Sequence, residues 1–274
     1  MGPDERDGRR HRGGDDERPQ HGVFEQHGDG DDHGDSGERC AGGGGEHADG
    51  DRGRRRGRQQ YRPSSAKGLF LGQRCLHPQS GMEWESAQRL LINRSVQAAV
   101  FETTARHLLS EGLPYDRCQV GVIMSMPKAA GLEDLYIQSD EQMPNVVRTQ
   151  MDVVLSQGMA VLNAEDEDVV NLAQYCDGEI TYFASTEAHP RIVQHRSENG
   201  RVVFWRKNHL VLAQGAYEIE ALSRQLPAID KVFKNKHLKC MEVLAASAAA
   251  WALGIQTDLI RAGIKSFGQS PGAH

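Results

Sequence analysis

Apolar positions are spread very unevenly along this chain. Residues 1–62 hold seven of them: Met1, Val23, Phe24, Cys40, Ala41, Ala48 and Tyr61. From Gly68 onward, apolar residues recur in short runs at the spacing of packed elements. Ala98-Ala-Val-Phe-Glu102 predicts a short strand ending in an acid, followed by a helical stretch to Glu111 and a stop at Gly112. Gln119–Met124 predicts a second strand, residues 141–156 a helix, and Gly158–Asn163 a third strand. A helix running to Tyr175 follows, with Glu165 or Asp166 placed to cap its positive end. Glu179–Phe183 predicts a fourth strand. Strands alternating with helices imply a parallel α/β sheet that includes all four.

The rhythm then changes. Arg201–Trp205, His209–Ala213 and Tyr217–Ala221 are short runs joined by tight polar turns, including Lys207-Asn208, and predict an antiparallel β-meander. Met241–Leu253 reads as an Ala-rich helix and Thr257–Phe267 as another. The fold class is α/β: a mostly parallel sheet with an antiparallel β-meander and two closing helices. Two regions are expected, a disordered tail over 1–62 and a folded domain over 63–274. The tail is Gly, Asp, Arg and His with almost nothing to bury, so packing cannot offset its chain entropy.

Charge and composition narrow the function. A net charge of −6 argues against nucleic acid as a partner, because a binder of polyanions carries a basic stripe. Five scattered cysteines without a Cys-x-x-Cys pair suit reduced thiols and a cytoplasmic protein. No apolar stretch follows Met1, so no signal peptide is expected. The apolar run Val243–Ile255 is short of the roughly 20 residues a membrane span needs, so no membrane partner is expected. In the tail, His11, His21, His27, His33 and His47 have no ligand rhythm. Asp29–Gly34 fails as a calcium loop because Cys40 stands where its closing Glu belongs. Gly42–Gly45 lacks the Gly-Lys-Ser/Thr of a phosphate loop.

Several segments, taken in order, carry a resemblance. They are Ser86-Ala-Gln-Arg-Leu-Leu-Ile-Asn93, Ala98–Thr103, Glu111-Gly-Leu-Pro-Tyr-Asp-Arg-Cys118, Met159-Ala-Val-Leu-Asn-Ala164 and Leu244–Gly254. From about Gly68 to Pro271 the chain resembles the Mur-ligase-like domain of cyanophycin synthetases. The resemblance implies an ATP-dependent amide ligase that activates a carboxylate with Mg-ATP. It implies aspartate, arginine and a cyanophycin primer as substrates, and a homo-oligomer. It places Glu102 at the family's magnesium-binding Glu. Asn163 and Asp166 are candidate nucleotide contacts, with turn and cap roles as the alternative.

The chain also departs from the family pattern. The family's Gly-Lys-Thr-Thr loop belongs just before Gly68, where the polar tail stands instead. Its Arg-Gly-Gly has become Ala105-Arg106-His107, and its Thr-Asn Met124-Ser125. Its Gly-Asp-His-Leu, whose His binds metal in related ligases, is Ala129-Ala130-Gly131-Leu132. The metal-bridging lysine falls on Val147 and the adenine-side Glu-Asn on Met241-Glu242. The expectation is a fragment or divergent member, without phosphate loop or C-terminal lobe and inactive as an isolated chain. The alternative is a non-catalytic remnant that serves as an oligomerisation or partner-binding module.

Overall fold

A computed structural model describes residues 61–65, 68–71, 74–77, 84–94, 96–207, 209–223 and 240–267. Residues 1–60, and with them nearly all of the expected disordered tail, lie outside the described residues. Tyr61 and Arg62 already belong to a strand.

The larger sheet has six strands: β5 (Cys118–Ile123), β6 (Val154–Asn163), β7 (Glu179–Ala184), β8 (Arg201–Arg206), β9 (His209–Gln214) and β10 (Tyr217–Ser223). They lie in sequence order, with β5 to β8 parallel and β8 to β10 antiparallel. This is the expected mostly parallel sheet with its meander.

Both faces of this sheet are covered, which explains the unbroken apolar text of its strands. Successive residues point to opposite faces. Leu162, Val202 and Phe204 enter one core, with Val147 and Met151 of α3 (Met143–Asp152), Val169 and Val170 of α4 (Glu167–Asn171), and Ile192 of α5 (Pro190–Ser197). Val161, Phe183 and Val203 enter the other, against Val243, Leu244 and Ala248 of α6 (Cys240–Ala252) and Ile260 of α7 (Thr257–Phe267). Among the described residues, no helix is long and apolar enough to cross a membrane.

The smaller sheet holds β1 (Tyr61–Ser65), β2 (Gly68–Leu71), β3 (Arg74–His77) and β4 (Ala98–Phe101) in the order β3-β2-β1-β4. Its helices are α1 (Trp84–Leu91) before β4 and α2 (Ala105–Ser110) after it. The expectation that Ala98–Glu102 joins the main parallel sheet is therefore corrected. β4 pairs in parallel with β1, Tyr61 opposite Ala98, and among the described residues it has no ladder to β5.

The helix expected over 141–156 also needs correction, because it ends at Asp152 and β6 starts at Val154. The strand pairs Cys118 with Val154 and then Val120 with Met159, so the intervening residues bulge out of the ladder and blur the strand period. Two glycines allow the close approach there. A Cβ on Gly158 would sit 2.6 Å from the Gln119 carbonyl oxygen, and one on Gly178 2.5 Å from that of Gly158. Three further features had no sequence expectation: the β1–β3 strands, α1, and α5, which begins at Pro190 in the first-turn position that proline favours.

The meander is tied by charge as well as packing. Arg206 donates to both carboxylate oxygens of Glu218 at 2.7 and 2.8 Å and also pairs with Glu187, while Arg196 pairs with the same Glu218. Hydrogen bonding from Arg206 pulls the Glu218 carboxyl down to about 2. A lowered folded value means that the pair contributes stability above the ordinary carboxylate range and loses it as pH falls toward 2. Glu218→Gln is expected to destabilise the protein at neutral pH, with the gap to wild type shrinking below pH ~4. Urea unfolding of both proteins at neutral and acid pH checks this; a gap independent of pH would contradict it.

Candidate functional site

A cleft of about 520 Å³ lies between the two sheets, at the facing edges of β4 and β5. Val100–Ala105 form one wall, Val120–Ser125 the other, and Tyr115, Cys118, Val147 and Gln150 close it. Glu102, the candidate metal ligand, follows the last residue of β4 and is exposed at the carboxyl end of that strand. Among the described residues it is the single charged residue of the lining. Next to it, Thr104 caps α2: its hydroxyl oxygen accepts from the His107 backbone N–H at 3.3 Å and lies 2.7 Å from His107 Nδ1.

The two candidate nucleotide contacts are not part of this lining. Asn163, at the end of β6, donates through Nδ2 to the Met124 carbonyl at 2.9 Å and accepts from the Glu165 backbone N–H at 3.0 Å. Asp166 caps α4 through the Val169 N–H at 3.3 Å, and its second oxygen accepts from the Met126 N–H at 2.8 Å. Both side chains therefore tie the loop after β5 to the loop after β6. The sequence alternative, turn and cap roles, describes the geometry they have, and of the two proposed caps Asp166 is the one used.

The positions that depart from the family pattern are filled by packing and ion pairs. Val147 is buried against Met151 and Cys118 in one core. Arg148 pairs with Asp152 at 3.1 Å and lies 4.2 Å over the Tyr175 ring. Ala129 and Leu132 pack with Met143, and Arg106 forks onto both oxygens of Asp134 at 2.9 Å. Lys128, beside the cleft, is paired with Asp140 at 3.1 Å.

Among the described residues, the side chains of the lining do not fit a magnesium triphosphate. Magnesium takes hard oxygen ligands in near-octahedral array, and a triphosphate needs cationic side chains or a run of backbone N–H groups. Among the described residues, the lining offers one carboxylate and no lysine or arginine. Among the described residues, no three His, Cys, Asp or Glu side chains are placed to hold a metal ion.

Burial dominates the thiol chemistry here. Cys118, 2% exposed at the start of β5, has its thiol pushed up to about 12 by desolvation, and Cys176 is raised for the same reason. The Thr104–His107 pair was not found by sequence reasoning; Thr-x-x-His ahead of a helical stretch was its available signal.

No family model matches the chain. It is 31% identical over 213 residues to a cyanophycin synthetase of Geminocystis herdmanii, covering 77% of this chain and 24% of that protein. It is 28% identical over 205 residues to a cyanophycin synthetase of Synechocystis sp., covering 74% of this chain and 23% of the relative. Among solved structures, it overlaps the UDP-N-acetylmuramoylalanyl-D-glutamyl-2,6-diaminopimelate–D-alanyl-D-alanyl ligase of Acinetobacter baumannii at a TM-score of 0.37 and 13% identity, over 64% of this chain and 35% of the other. MurF from Acinetobacter baumannii gives a TM-score of 0.38 at 15% identity, with the same coverage of 64% and 35%.

Two outcomes follow from the geometry. Asp166→Ala is expected to cost about 1–2 kcal/mol, since it removes a helix cap and the loop bond to Met126 together; equal urea midpoints for variant and wild type would contradict this. In the native protein at pH 8, iodoacetamide is expected to leave Cys118 unmodified and to label it after unfolding, as read by peptide mapping. By sequence, the chain is a relative of the cyanophycin synthetases and spans about a quarter of the length of those it matches.

Proposed function

We propose that this chain is a divergent portion of a cyanophycin-synthetase-type, ATP-dependent amide ligase, and that alone it does not turn over ATP. Identity of 31% over 213 residues carries the family side of this reading. A cleft lining with one carboxylate and no cation supports the second half. In this reading aspartate, arginine and a cyanophycin primer are the substrates of the whole ligase, and Mg-ATP is its cofactor. Glu102 is the metal-side acid, awaiting a phosphate cradle supplied from elsewhere. Asn163 and Asp166 shape the loops at the strand ends without touching nucleotide.

The second reading, a non-catalytic partner-binding module, is favoured by the uncharged edges of β4 and β5 on that cleft. Phosphate release by the folded chain with Mg-ATP, aspartate, arginine and primer separates the two halves of the proposal. No release above a Glu102→Ala control is expected. Release that Glu102→Ala abolishes would show a working ATP site and overturn the claim of inactivity.

A further inference from the structure

We infer that Tyr136 is a modification site, the phosphate acceptor of a protein tyrosine kinase whose substrate groove is basic. The inference is independent of the ligase reading. Tyr136 lies in the loop between β5 and α3, directly after the single 3-10 turn Glu133–Leu135. At 87% exposure it is the most exposed large hydrophobic side chain among the described residues.

The backbone makes that exposure informative. Tyr136 sits at φ 63° and ψ 21°, in the left-handed region that a bulky side chain rarely adopts. Strain of this kind persists where neighbours over-determine it, and it gathers at functional positions. The neighbours do so here. Leu132 and Ile137 are buried on either side, and the Ile137 N–H donates to the Leu132 carbonyl at 3.3 Å. Core packing anchors the loop and turns the tyrosine out.

Charge supplies the second half. Glu133 and Asp134 stand three and two residues before Tyr136, and Asp140 and Glu141 four and five after it. Kinases discriminate substrates by such charge patterns. Backbone N–H groups of Glu133 and Gly131 hold the Glu133 carboxyl below its usual range, so it is ionised at neutral pH. The other tyrosines lack this combination. Tyr182 is buried, Tyr115 is stacked on Phe101, and Tyr175 lies beneath the Arg148 guanidinium. Tyr61 and Tyr217 are held in strand ladders, opposite Ala98 and Gln214. Glu218, next to Tyr217, is engaged by Arg196 and Arg206.

A kinase groove takes its substrate segment extended, and extension relieves the strain at Tyr136. The bonds it opens are those of the turn, Leu135 N–H to Leu132 and Tyr136 N–H to Glu133. The phenolic oxygen attacks the γ-phosphorus of ATP held by the kinase. An O–P bond forms, the bond from that phosphorus to the β–γ bridging oxygen breaks, ADP leaves, and the phenolic proton passes to the kinase's aspartate. The product carries about two negative charges. They stand two residues from Asp134, the carboxylate through which Arg106 ties this loop to α2.

The test incubates the full chain with magnesium ATP labelled in the γ-phosphate and a recombinant tyrosine kinase domain that accepts a Glu-Tyr copolymer. Peptide mapping is expected to place the label on Tyr136. Tyr136→Phe, which keeps the exposed ring, is expected to lower the rate of incorporation about tenfold or more, since it removes the acceptor oxygen. Tyr217→Phe is expected to be labelled as wild type is. Glu133→Gln keeps an acceptor oxygen for the Gly131 N–H and removes the charge. It is expected to lower kcat/KM about fivefold, mainly through KM. Label chiefly on another tyrosine, equal rates for wild type and Tyr136→Phe, or an unchanged kcat/KM in Glu133→Gln would overturn the proposal. So would a folded chain that takes no label under conditions in which the copolymer does.

Discussion

The parallel ladders on either side of β7 are what the rest of the molecule depends on. Ile180–Phe183 pair with Ala160–Asn163 on one side and Thr181–Ala184 with Arg201–Phe204 on the other. With its register fixed twice, Phe183 points into one core and Tyr182 and Ala184 into the other. A slip by one residue would send every one of them to the opposite face. Phe183 and Phe204 are both fully buried, and loss of either ring to alanine costs about 3–5 kcal/mol in comparable cores. Helices α3 to α5 take their positions from one face of this ladder and α6 and α7 from the other, and the loops that carry Asn163 and Asp166 hang from its carboxyl edge.

That doubly satisfied centre contrasts with the β4–β5 boundary. A buried backbone N–H or carbonyl without a partner costs as much as a lost hydrogen bond, so strands usually continue until an edge is solvated or protected. Here two uncharged edges meet across a cleft. The cations near it are engaged in ion pairs: Arg106 with Asp134, Lys128 with Asp140, Arg148 with Asp152. Exposed pairs of this kind contribute little to stability, roughly 0–1 kcal/mol each. Among the described residues, Glu102 is the charged residue that lines the cleft.

Much of the fold was legible because its signals are local. The runs at 119–124, 179–183 and 201–221, the closing helices, and the acid at 166 that caps α4 all announce themselves within a few residues. The end of α3 was not, because the bulge around Gly158 sets polar residues where alternation was needed. Sheet membership of Ala98–Phe101 was not legible either. An apolar run shows that a strand exists and says nothing of its neighbour, which here is Tyr61–Ser64 at the margin of the polar tail. For the candidate site, the strand-end position of Glu102 could be read from its run, and the cap and turn roles of Asp166 and Asn163 stood as open alternatives. The cleft itself could not be read, since it lies between strands of two different sheets and no residue type marks sheet membership.

Hydrogen–deuterium exchange of the isolated chain probes this division between a doubly paired centre and two open edges. Amides of β7 and β8 are expected to be the slowest, opening only with global unfolding, while those of β4 and β5 exchange well ahead of them. Equal protection of β4, β5 and β7 would contradict a fold whose stability is centred on the doubly paired β7.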